Sequence, residues 1–159
     1  MTHGLEIPTK ELVVDIALVD GARQQVGLFL AEHDQHVFDL LEGRMNFLPA
    51  FGTEDRSWSI LNKRSLLWLS LALIDGGLPI EEAEQDSTLY ERRVDVVVHF
   101  ANANAVRGEV LFSPETGKSR LTDYLNRDTQ FFRVWTAGAL YFVNKEHVLR
   151  LVEEKSEEI

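Results

Sequence analysis

A mainly β fold with short helices, built as a tandem duplication of one small five-stranded barrel-like unit, is what the amino-acid sequence predicts. Three observations carry this. Val14, Ile16 and Leu18 recur at every second place, as do Val94, Val96, Val98 and Phe100, the period of a strand with one face inward. Asn62-Lys63 returns as Asn144-Lys145, each preceded by an apolar pair and followed by an apolar run. The matches between these landmarks keep one order, at an offset that drifts only from 80 to 84 residues, as an internal repeat would leave them.

Each element follows from its own residues. Val14-Asp15-Ile16-Ala17-Leu18 and Val94-Asp95-Val96-Val97-Val98 form the first strand of each unit, and Asp20-Gly21 or Ala101-Asn102-Ala103-Asn104 turns it into a hairpin. The second strand runs through Gly27 and Phe29 in one unit and Gly108 and Val110 in the other. Both glycines read as places where a curved strand or a close backbone approach forbids a side chain. A short helical turn comes next, opened by Asp39 or by Thr122 and Asp123, whose side-chain oxygens accept from the free N–H groups at a helix start. A strand through Phe47 or Phe131 and two strands flanking Asn-Lys complete the unit. The units occupy residues 11–73 and 92–153. Residues 74–91 are the linker, with the breaker cluster Asp75-Gly76-Gly77-Leu78-Pro79 and then an acidic run. Residues 153–159 read as a solvated tail.

Composition narrows the function classes. The chain has 159 residues, 45% of them hydrophobic, enough for one ordinary domain or two very small ones. Its longest apolar stretch, residues 66–74, is about half of what a bilayer requires, and the first residues lack the pattern of a secretory signal, so a cytoplasmic location is expected. The absence of cysteine excludes disulfides, thiol nucleophiles, iron-sulfur clusters and thiolate zinc sites. A net charge of −10 argues against a nucleic-acid partner for the whole molecule. The charge is uneven, however. Residues 92–152 hold 9 bases against 6 acids, while residues 74–91 hold 6 acids and no base and residues 153–159 hold 4 acids and 1 base. The acidic segments therefore bracket a basic unit and could shield it.

The closing block, Leu140-Tyr141-Phe142-Val143-Asn144-Lys145-Glu146-His147-Val148-Leu149-Arg150-Leu151, resembles the second motif of Sm-like proteins, in which two strands flank a tight turn. The preceding alternating strand, turn and Gly108 resemble the first motif, and the first unit shows the same order. Bacterial proteins with this strand, turn and glycine pattern are similar too. The resemblance implies a small Sm-like or SH3-like barrel in each unit. It implies no binding residue, because Asn-Lys stands where the family's turn has Arg-Gly and the family's nucleotide-binding loop has no counterpart.

No residue pattern points to catalysis, a metal or a cofactor. Asp39 and Asp123 read as helix caps rather than paired acids. His33 and His36, with Glu32 and Asp34, are the only local cluster with metal-ligand chemistry, and they read as a solvated loop. Trp58, Trp68 and Trp135 read as core or interface aromatics. The candidate binding residues are Asn62, Lys63, Asn144 and Lys145, repeated and able to meet a phosphate or a base edge, with Arg107, Arg120 and Arg127 of the basic unit. The bland reading of the asparagines is that they tolerate the left-handed backbone of a tight turn. Three functions stay open. The first is a non-enzymatic protein-interaction or assembly module that pairs, or self-associates, through exposed strand edges. The second is nucleic-acid binding by the basic unit, and the third a ligand-responsive regulator with a pocket between the units.

Overall fold

A computed structural model describes residues 9–31, 36–73 and 90–158 of the chain. Among these residues the fold is mainly β, with ten antiparallel strands and two short helices. The first half contributes β1 (Thr9–Leu18), β2 (Arg23–Ala31), α1 (Val37–Glu42), β3 (Phe47–Gly52), β4 (Trp58–Asn62), a 3-10 turn (Lys63–Ser65) and β5 (Leu66–Ala72). The second half contributes β6 (Arg92–Phe100), β7 (Ala105–Phe112), α2 (Leu121–Leu125), β8 (Phe131–Trp135), β9 (Ala139–Asn144), a 3-10 turn (Lys145–His147) and β10 (Val148–Glu158). The same sequence of elements thus runs twice. Of the expected linker, residues 74–89 lie outside the described residues, as do Glu32, His33 and Asp34.

The hairpins form where alternation and turn residues place them. Gly21, at φ 91°, takes the left-handed place in the first turn, and Ala103, at φ 66°, takes it in the second. Along β1 the inward set is Val14, Ile16 and Leu18, facing β2 in a register that sets Val14 opposite Val26. In both halves the fifth strand carries a bulge against the first. Ala17 faces Trp68 and Leu18 faces Leu66, which leaves Leu67 unpaired, and Phe100 and His99 skip Leu149 in the same way.

All ten strands belong to one sheet, in the order β10-β6-β7-β8-β9-β5-β1-β2-β3-β4. This corrects the expected closed barrels. The strands that should close each unit, β4 with β5 and β9 with β10, do not pair, because β5 gives its second edge to β9 of the other half. The β2–β3 ladder is also short, ending at Leu28 and Ala50, and the next residue of β3 is Pro49, which has no N–H to offer β2. The expected solvated tail is corrected as well: β10 stays paired with β6 as far as Glu158 opposite Arg92.

The two apolar clusters cross the boundary between halves. The first gathers Val14, Ile16, Leu28, Leu30 and Leu69 with Phe131, Leu140 and Phe142 of the second half. The second gathers Val96, Val98, Val110 and Phe112 with Ala17, Leu67 and Trp68 of the first. Each half therefore buries part of the other's core, and Trp68 sits at that contact as an edge-on neighbour of Tyr141, 4.9 Å between ring centres.

Gly27 and Gly108 both serve close approach, by different means. A Cβ on Gly27 would lie 1.9 Å from the Phe51 ring, and one on Gly108 would lie 2.4 Å from the Trp135 carbonyl oxygen. They do not hold the same place. Gly27 faces Val13 and Phe51, whereas the residue facing Asp95 and Trp135 is Glu109, one position after Gly108.

Candidate functional site

The repeated Asn-Lys pairs build the turns from which the fifth strands depart. Asn62 Oδ1 accepts the backbone N–H of Arg64 at 3.0 Å, and Asn144 Oδ1 accepts that of Glu146 at 3.0 Å. Their φ values, −85° and −79°, are extended, so the asparagines are caps of 3-10 turns and not left-handed turn residues. Each lysine then turns inward. Lys63 Nζ donates to the carbonyls of Leu40, Leu41 and Gly43 at 2.9 to 3.2 Å, gathering the end of α1, and Lys145 Nζ donates to the Arg127 carbonyl just past α2 at 2.9 Å. A cation at a helix C-terminus also meets the negative end of the helix dipole. Burial pushes both ammonium groups below their ordinary pKa, and the nearby Glu42 carboxylate pulls the other way.

These turns lie at the joint between halves, with residues the sequence did not single out. Glu42 accepts the N–H groups of Gln130 at 2.9 Å and Phe131 at 2.8 Å, fastening the end of α1 to the start of β8. Asn144 donates across the joint to the Leu66 carbonyl at 2.9 Å, and Arg64 bridges to Glu146 at 2.9 Å. The Arg64 hydrogen bond holds the Glu146 carboxyl below its usual range, desolvation acting against it. Arg133 of β8 lies over the ring of Phe38, 4.3 Å from its centre. A cleft of about 250 Å³ opens here, lined by Glu42, Asn46, Arg64, Gln130, Asn144 and Glu146 among others. Long-range pairing of this kind leaves no local signal, since Glu42 and Gln130 are 88 residues apart.

The remaining candidate residues do not converge on that cleft. Arg107 pairs with Glu154, and Arg120 with Asp123 at 3.3 Å. Arg127 donates to the Ser113 carbonyl at 2.6 Å and lies over the Tyr124 ring. Asp39 and Asp123 are the third residues of their helices, and each accepts the N–H of the residue before the helix, His36 or Arg120, at 3.1 Å.

What is open is the sheet's two ends. β4 and β10 each pair on one side only among the described residues. Along β4, Trp58 is 65% exposed and Ile60 75%, and Phe47 on the adjoining strand is 60% exposed. Trp58 stacks on Phe29, 5.7 Å between centres, so the patch is an ordered aromatic surface. Along β10, Leu149 is 67% exposed and Val152 39%. Phe47 and Phe131 are equally apolar in the sequence; only the sheet order makes one exposed and the other buried. No family model, curated protein or solved structure matches this chain.

Proposed function

We propose that the chain is a non-enzymatic interaction or assembly module, two tandem Sm-like β units that dock another chain through a free sheet edge. The observation that carries this is the apolar edge at β4. Exposed edges are ordinarily blunted with charge or proline, yet the segment Trp58–Asn62 contains neither. Trp58 and Ile60 add a large apolar surface beside backbone groups that no other described strand pairs, the combination that strand addition uses: main-chain hydrogen bonds supply affinity and alternate side chains supply specificity. The nucleic-acid reading draws no comparable support, because Arg107, Arg120 and Arg127 are engaged with carboxylates or a carbonyl of their own chain. The use of Asp39 and Asp123 in starting helices favours a non-catalytic role in the same way.

The test blocks the edge without touching the ladder behind it. Gly52 donates to the Ser57 carbonyl and Lys63 to the Asn46 carbonyl, so by alternation Trp58, Ile60 and Asn62 turn their N–H and C=O groups outward. Ile60→Pro removes an outward donor and leaves the bonds to β3 in place. Amides of Trp58 and Asn62 should exchange hydrogen more slowly in wild-type assemblies than in Ile60→Pro, and proteins captured by the wild type should be lost. Equal exchange with an unchanged set of captured proteins would sink the reading.

A further inference from the structure

We infer that a pocket on one face of the sheet, where the two halves meet, takes a small zwitterion with one ammonium and one carboxylate group, the chemistry of a free α-amino acid. The pocket is separate from the β4 edge, since its side chains come from β1, β2, β5 and β9.

Register lays the pocket out. Gln25, Asp15, Ser70 and Tyr141 stand opposite one another across β2, β1, β5 and β9, so they share one face. Two places along their strands, Arg23, Ala17 and Trp68 form the next row of that face. Ala17 is too small to keep its neighbours apart, and the Arg23 guanidinium lies over the Trp68 ring, 5.7 Å from its centre. The two rows bound a pocket of about 300 Å³ lined by Arg23, Gln25, Asp15, Trp68, Ser70 and Tyr141 among others. Tyr141 belongs to the second half and the rest to the first, so both halves are needed to complete it.

Its polar groups are not used by the chain. Ser70 carries the only hydroxyl on β5 and is 4% exposed, yet that hydroxyl makes no hydrogen bond with any described residue. The Tyr141 hydroxyl and the Trp68 indole N–H are likewise without a partner among the described residues. Buried polar groups are ordinarily hydrogen-bonded, so Ser70 and Trp68 mark a place for groups from outside the chain.

The charges decide which groups. Asp15 and Arg23 are diagonal neighbours on adjacent strands, a spacing of about 7–8 Å, and neither forms an ion pair with a described residue. With Arg23 held over Trp68, a carboxylate and a guanidinium line one pocket with space between them. A ligand ammonium meets Asp15, and a ligand carboxylate meets the fork of Arg23. Gln25, whose carbonyl oxygen accepts from Thr53, offers its amide N–H groups to the carboxylate, and the Ser70 and Tyr141 hydroxyls donate or accept as required. A simple anion is repelled by Asp15 and by the net charge of −10, and a simple cation by Arg23. The volume is at the lower limit of small-molecule pockets and admits an amino acid rather than a peptide. The second half shows the contrast. Asp95 faces Val94's neighbouring strands as Asp15 does, but the residues opposite it are Glu109, which Arg93 binds at 3.3 Å, and Lys155. There the facing residues are charged; opposite Asp15 they are Gln25 and Ser70, which are neutral.

The test presents each of the standard L-amino acids singly, at millimolar concentration, to the whole chain. At least one should raise the melting temperature and give a saturable heat in titration calorimetry. Its N-acetyl form, which lacks the cation, and its amide, which lacks the anion, should each bind about tenfold more weakly or worse, the loss of one charged partner. Asp15→Asn and Arg23→Gln, both at exposed positions and checked for folding by circular dichroism, should weaken binding by a similar factor. Ser70→Ala should weaken it severalfold, and Asp95→Asn should leave it unchanged. No response to any amino acid overturns the inference. Equal binding of the N-acetyl form or of the amide overturns it too, by showing a site for a bare anion or a bare cation. So does binding that survives both Asp15→Asn and Arg23→Gln, which places it elsewhere on the chain.

Discussion

At the scale of single residues, the repeated pair Asn-Lys is a folding device in both halves: the asparagine starts a 3-10 turn and the lysine holds the end of the preceding helix. Lys63 collects three carbonyls and Lys145 one. Lys63→Met should therefore cost about 2–3 kcal/mol and Lys145→Met about 1 kcal/mol, since buried carbonyls lose a charged donor, and urea unfolding of the two variants checks the order. Glu146 makes a pH prediction. Its hydrogen bond from Arg64 holds the folded-state pKa below the ordinary 4.5. A carboxyl with a depressed folded pKa contributes stability that is whole above its unfolded pKa and is lost as pH falls through the folded value. An NMR titration of the Glu146 carboxyl should show a midpoint below 4.5 that moves toward 4.5 in Arg64→Ala.

At the scale of elements, the joint is more than strand pairing. β5 and β9 run together from Trp68 opposite Val143 to Ala72 opposite Ala139. The end of α1 then reaches across, its Glu42 carboxylate accepting both N–H groups that open β8. Glu42→Ala should leave those amides without their charged acceptor and cost about 2–3 kcal/mol, whereas Glu42→Gln, which keeps one acceptor oxygen, should cost less; thermal unfolding of the pair measures the difference. Helix α1 is in this way tied at both ends. Asp39 fastens its start to the His36 N–H, and Lys63 gathers its last carbonyls.

At the scale of the molecule, shared cores mean shared stability. Removing the first half would take Ala17, Leu67 and Trp68 out of the second cluster and expose Phe131, Leu140 and Phe142. Residues 90–159 expressed alone should thus unfold without a sharp transition, while the whole chain melts in one step by calorimetry. Two resolved transitions in the whole chain would contradict the shared core.

Local physics made much of this legible. Alternation in Val14, Ile16 and Leu18 marks a strand, Asp20-Gly21 a hairpin and Asp39 a helix start, because each depends on residues a few places apart. The close approach at Gly27 was readable too, though its neighbour Phe51 was not. Tertiary structure alone decided which edges meet. Whether β5 turns its second edge to β4 or to β9 depends on hydrogen bonds between residues about 70 apart, and backbone N–H and C=O groups are the same in every strand. The same decision gave Phe131 a buried place and Phe47 an exposed one, a difference that their side chains, being identical, do not contain.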